Sequence, residues 1–186
     1  MAFEITNQFL EKLVGFIYEN NDSKIKNLFS EVHYADIAEV LDEVSFDEAI
    51  YIIKLLDSEK TSEILTELDE DTREKILENL SAKEIAEEIE EMDSDDAADI
   101  IGELSEERQN RVINAIEDDE LAADIKELLS YNDDSAGSLM AKELVKVYET
   151  WTVAGCLRRI RAQAKEVSRV HSIYVVDKQE KLIGRL

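Results

Sequence analysis

The chain has 186 residues, of which 44% are hydrophobic and 35% charged, with a net charge of −24. That balance predicts one or two domains with real cores and argues against intrinsic disorder. A single cysteine, Cys156, excludes an internal disulfide and suits a reducing compartment, and no apolar run approaches the length of a membrane span.

The charge is unevenly placed. Residues 31–130 hold 34 acidic and 8 basic side chains, a net of −26, whereas residues 131–186 hold 7 acidic and 10 basic. The acidic stretch repels nucleic acid and anionic lipid surfaces, so neither is expected as a partner, and it attracts cations or a basic partner. Acidity also keeps a repeat protein soluble, and composition leaves these two readings open.

Met1–Gly15 mixes polar and apolar residues throughout and carries no signal-peptide pattern. Phe3–Glu19 reads as a helix with apolar Leu10, Leu13, Val14 and Ile17, expected to close one end of the array that follows. Asn21 or Asp22 then caps a helix ending near Val32.

A twelve-residue period now takes over. Val32, Val44, Leu56, Leu68, Leu80, Met92, Leu104, Ile116 and Leu128 follow at unbroken steps of twelve. Three residues earlier run Phe29, Leu41, Ile53, Leu65, Leu77, Ile89, Ile101, Ile113 and Ile125. Apolar residues three and four apart give each unit one helical stripe. Ser45, Asp57, Asp69, Ser81, Asp93 and Ser105, again twelve apart, are expected helix caps. Ser45 with Glu48 and Ser81 with Glu84 have capping-box spacing. Helices of two to three turns are too short to stand alone, so they must pack on sequence neighbours as a solenoid or superhelix.

The pattern changes after Leu129. Tyr131–Gly137 is polar and turn-prone, Leu144–Tyr148 is a strand candidate, and Thr152–Glu166 is helical. Val153, Cys156, Leu157 and Ile160 form the apolar stripe of that helix, which makes Cys156 an expected core thiol; Arg158, Arg159, Arg161 and Lys165 lie off it as a solvated basic face. Ser172–Asp177 reads as a buried strand, and Leu182–Leu186 begins a partner strand after a turn at Lys178–Lys181. A hairpin strand reaching the last residue suggests a second domain that is incomplete.

No catalytic constellation is present. His33 and His171 stand far apart without a spaced nucleophile or ligand set; the first is expected at a helix junction and the second at a strand start. The five glycines are scattered, so no phosphate loop forms, and Asp93–Asp96 lacks the glycine turn and distal glutamate of an EF-hand.

The densest acidic cluster is Glu90–Asp99. Asp93, Asp95 and Asp96 stand at an expected helix start, where the dipole favours carboxylates without any ligand. Asp99 lies deeper and repels Asp95 across one turn. Two carboxylates four apart on one exposed face suit a hard divalent cation held weakly and partly through water, and Ala97 and Ala98 between them would let another domain approach. Spacing leaves both readings open.

Several segments resemble a known family. Ala35–Leu41, Lys60–Leu68 and Met92–Ile101 resemble the cytosolic N-terminal superhelix of MgtE-type magnesium transporters, and Asp134-Ser-Ala-Gly-Ser-Leu-Met140 resembles that family's junction into its first CBS motif. Ser172–Asp177 and Leu182–Leu186 resemble the central hairpin of that motif. The resemblance implies a mainly α fold: a superhelix over residues 1–130, then a truncated α/β CBS fragment over 131–186. It implies a dimeric transporter at the cytoplasmic face of the cell membrane. There Mg²⁺ bound between acidic faces favours a closed state, and the partners are a second CBS motif, a connecting helix and a membrane pore. By motif, Asp95 and Asp99 match the family's acidic pair and Glu63 an acidic superhelix position, as Mg²⁺ ligands direct or through water. Short-helix superhelices also resemble the flagellar motor switch protein, so an interaction scaffold without ion sensing is the alternative, and a CBS-regulated enzyme is a third reading that no catalytic set supports.

Overall fold

The computed structural model describes residues 3–132, 134–163 and 172–186. They divide into two compact units, Met1–Met92 with Asp99–Ala123 and Asp93–Ala98 with Asp124–Leu186.

The helices run in chain order as α1 (Asn7–Tyr18), α2 (Asp22–Phe29), α3 (Tyr34–Glu43), α4 (Phe46–Leu55), α5 (Ser58–Glu67), α6 (Glu70–Glu78), α7 (Ala82–Ile89), α8 (Ser94–Gly102), α9 (Glu106–Ile113) and α10 (Asp119–Leu128). Side-chain caps set most of their starts. The Thr6 hydroxyl accepts from the Phe9 N–H at 3.2 Å, which begins α1 later than the apolar pattern suggests. Asn21 caps α2, and that helix stops at Phe29 rather than near Val32. Asp57, Asp69 and Ser81 accept from the N–H groups of Lys60, Thr72 and Glu84 at 3.2, 3.1 and 3.2 Å. Both capping boxes form: the Glu48 carboxylate accepts from the Ser45 N–H at 2.8 Å, and Glu84 accepts from the Ser81 N–H at 2.7 Å. Ser105 departs from the expected pattern, making no side-chain cap bond. His33 stands at the α2–α3 junction, where its Nδ1 accepts from the Ala35 N–H at 3.3 Å.

The apolar residue three before each unit's end is the centre of the repeat. Phe29, Leu41, Ile53, Leu65, Leu77, Ile89, Ile101, Ile113 and Ile125 are all buried. The companion series is looser, since Val44, Leu56 and Leu68 occupy helix C-caps where the chain turns. Within the first unit α3 packs on α5, α5 on α7 and α7 on α9, so along this odd-numbered series each helix meets the next but one.

Polar ties add a second spacing. Lys54 of α4 donates to Glu84 of α7 at 2.9 Å, 30 residues on. Thr72 of α6 donates to Asp42 of α3 at 3.0 Å, also 30 apart. Lys60 of α5 reaches the Phe29 carbonyl, 31 residues back. Arg108 of α9 donates to the Leu77 and Leu80 carbonyls at 2.7 and 2.8 Å. The start of one helix thus meets the end of the third before it, and basic side chains satisfy carbonyls that a helix end leaves without intrahelical partners.

In the second unit, β1 (Val145–Tyr148), α11 (Val153–Gln163), β2 (Ile173–Val176) and β3 (Leu182–Arg185) follow α10. The sheet order is β1-β2-β3. β1 and β2 are parallel with Val147 opposite Val175, and β2 and β3 are antiparallel. The Asp177 carboxylate turns the hairpin by accepting from the Gln179 and Lys181 N–H groups at 2.8 and 2.9 Å.

Two expectations fail in this unit. Cys156 is half-buried rather than a core thiol, and its stripe neighbours Val153 and Leu157 are 77% and 48% exposed. β2 is not a buried strand; Val176 alone of its four residues is buried. One helix packed on β1 covers too little of a three-stranded sheet to bury both layers. His171, Lys165 and the expected helix end at Glu166 lie outside the described residues.

Candidate metal centre

The helix α8 begins at Ser94, directly after Asp93, and its start is built by residues far along the chain. The fully buried Ser94 donates its N–H to Glu143 Oε1 and its hydroxyl to Glu143 Oε2, both at 2.9 Å. The same hydroxyl accepts the Lys142 N–H at 3.0 Å. Glu143 therefore supplies the anion that a helix N-terminus attracts. Lys142 is held in turn: its ammonium meets Glu127 at 2.8 Å and Asp124 at 4.0 Å. Glu127 lowers its own pKa by that contact, helped by the Tyr131 hydroxyl.

Asp95 and Asp99 follow on α8, one turn apart, with Asp95 half-buried and Asp99 exposed. Ala97 and Ala98 between them are buried. Glu63 is exposed on α5.

The Arg73 guanidinium lies within electrostatic reach of Asp99. Its Nε donates to both Glu103 oxygens at 2.9 and 3.1 Å, and its Nη1 to the Leu65 and Leu68 carbonyls at 3.1 and 2.9 Å. Glu103 does most to raise its pKa; burial opposes that, and Glu70 and Asp99 add to the rise. Sequence reading missed this group. The available signal was an Arg near one expected helix start with a glutamate 30 positions on.

Among the described residues no group of three His, Cys, Asp or Glu side chains converges to hold a metal ion. Glu63 stands on α5, a different helix from Asp95 and Asp99. The donor set still fits a narrower role. All three are hard oxygen donors, and Mg²⁺ keeps several waters while taking one or two carboxylates. Asp95 with Asp99 offers that much, with Arg73 competing for the charge of Asp99.

Two curated relatives are each named magnesium transporter MgtE. The one from Thermus thermophilus is 42% identical over 59 residues, covering 32% of this chain. The one from Enterococcus faecalis is 33% identical over 57 residues, covering 31%. Each match spans 13% of the relative's length. Among solved structures, the cytosolic domain of the Mg²⁺ channel MgtE in complex with ATP superposes with a TM-score of 0.85 at 28% identity, covering 95% of this chain and 72% of that one. The soluble part of a magnesium transporter superposes with a TM-score of 0.81 at 22% identity, covering 96% and 70%, a likeness of fold. No helix among the described residues is long and apolar enough to cross a membrane. Residues 32–134, more than half of the chain and nearly all of its acidic repeat, match the model of the MgtE intracellular N domain, and the chain belongs to that family.

Proposed function

We propose that this chain is a magnesium-sensing regulatory region of a magnesium transporter or channel. The observation that carries the reading is the coincidence of the family match, residues 32–134, with the stretch that holds the net charge of −26. Like-charged faces approach one another only at a Coulombic cost, and a divalent ion between them removes it. Such an ion biases a two-state equilibrium by its differential affinity for the compact state. Asp95 and Asp99 are the first ligands in this reading, with water completing the shell, and Glu63 supplies charge or a water-mediated contact on a separate helix. Mg²⁺ is here the sensed and transported ion. The remaining ligands would come from a second CBS motif, a connecting helix or a second copy in a homodimer, and the pore from the membrane part.

The test is a magnesium titration followed by NMR on this chain and by limited proteolysis on the whole cytosolic region. Shifts centred on Asp95 and Asp99 of α8, saturating at about millimolar Mg²⁺, are expected, and Asp95→Asn with Asp99→Asn should remove them. A cytosolic region with one shape in chelator and in excess Mg²⁺ would end the reading. A protein partner bound with no ion dependence would favour the scaffold alternative.

A further inference from the structure

The acidic repeat contains one carboxylate that the magnesium reading does not use and the packing does not satisfy. Glu88 lies in the last turn of α7, where the helix dipole already disfavours negative charge and no basic residue is present to offset it. Its Oε2 is buried without a hydrogen-bond partner. The groups acting on it are all acidic: Glu87, Glu91 and Glu84 from its own helix and its end, and Asp57 from the cap of α5, which packs on α7.

The nearby cations are engaged elsewhere. Lys54 pairs with Glu84 at 2.9 Å and Lys83 with Glu87 at 3.0 Å. On α9, the other helix packed on α7, Arg108 serves the Leu77 and Leu80 carbonyls and Arg111 pairs with Glu107. An ionised carboxylate with a buried oxygen, no donor and four like charges is an unfavourable state, and a proton relieves it at once.

We propose that Glu88 is a proton switch in the repeat: the neutral carboxyl lets α5 and α7 pack closely, and its ionisation loosens that packing. Burial, followed by the repulsion of Glu87, Asp57, Glu91 and Glu84, raises its pKa from 4.5 to about 7, inside the range of intracellular pH. The folded state then holds the proton more tightly than the unfolded chain. The contribution is fully present below the ordinary glutamate range and is lost as pH rises to about 7. The reading is independent of any metal.

Carbon-detected NMR of the wild-type chain should show the Glu88 carboxyl titrating near neutrality. Amide exchange in α7, corrected for intrinsic rates, should report an opening constant that grows with pH. The growth is up to about tenfold per unit below neutrality, reduced by solvent screening, and flat above. Glu88→Gln should abolish that dependence and Glu91→Gln should keep it. A Glu88 midpoint below about 5 overturns the proposal, as does a Glu88→Gln chain with the wild-type pH profile. The wild-type titration decides the matter even if the variant fails to fold.

Discussion

The acidic repeat and the C-terminal strand–helix–strand–strand segment bury their apolar residues with very different success. In the repeat, one position per unit is buried in all nine units, and Ile25, Ile37, Ile52, Ile64, Ile76 and Ile85 are completely inaccessible. In the C-terminal segment, Val145, Val147 and Val176 are buried while Val153, Leu157, Leu182, Ile183 and Leu186 stay exposed. From α3 to α9 the odd-numbered helices each find a partner two elements away, so a local rule repeated along the array builds the core. The sheet depends on a parallel pairing between segments about 28 residues apart, and among the described residues α11 packs on its edge strand β1. A regular period secures burial; a single strand–helix–strand passage does not.

Substitutions can break or sharpen this contrast. The largest effect is expected from Ile85→Ala, where an inaccessible side chain at the α7 packing face leaves a cavity; a loss of about 3 kcal/mol should appear in urea unfolding. Arg73→Ala comes next, at about 2 kcal/mol, because Glu103 loses its donor and the Leu65 and Leu68 carbonyls lose theirs. A double-mutant cycle with Glu103→Gln should recover part of that loss, and strict additivity would show that the pair is not coupled. Ser81→Ala should cost about 1 kcal/mol by removing the α7 cap.

A smaller effect depends on pH. Lys54, with the Ser81 N–H and hydroxyl, holds the Glu84 pKa down at about 2, so its contribution is present above 4.5 and is lost as pH falls toward 2. Lys54→Ala should flatten the acid limb of a plot of unfolding midpoint against pH. Leu157→Ser, on the exposed face of α11, should change the midpoint by no more than about 0.5 kcal/mol. A large loss there would mean that this face is covered in solution and would erase the contrast.

The helices, their caps and the buried positions were legible in sequence because each rests on neighbours within a few residues. Ser45 with Glu48 and Ser81 with Glu84 are examples, since the partner is three positions away. The strands were legible for the same reason, as short β-rich runs between turn residues. Distant partners were not. Nothing near Ser94 announces Glu143, 49 residues later, and nothing near Arg73 announces Glu103, 30 residues later. The expected ligands Glu63, Asp95 and Asp99 were chosen by motif, and their convergence depends on the placement of several helices, which spacing along one helix cannot report.

The ties between the start of one helix and the end of the third before it have a kinetic meaning. Lys54–Glu84 and Asp42–Thr72 each close a span of 30 residues, and Arg73–Glu103, which joins the start of α6 to the end of α8, closes a span of the same length. Rings of equal size carry equal closure entropy, so no pair of segments is favoured as the first to form. Assembly can begin anywhere in the array and spread both ways, and a one-residue insertion would disturb only the rings that enclose it.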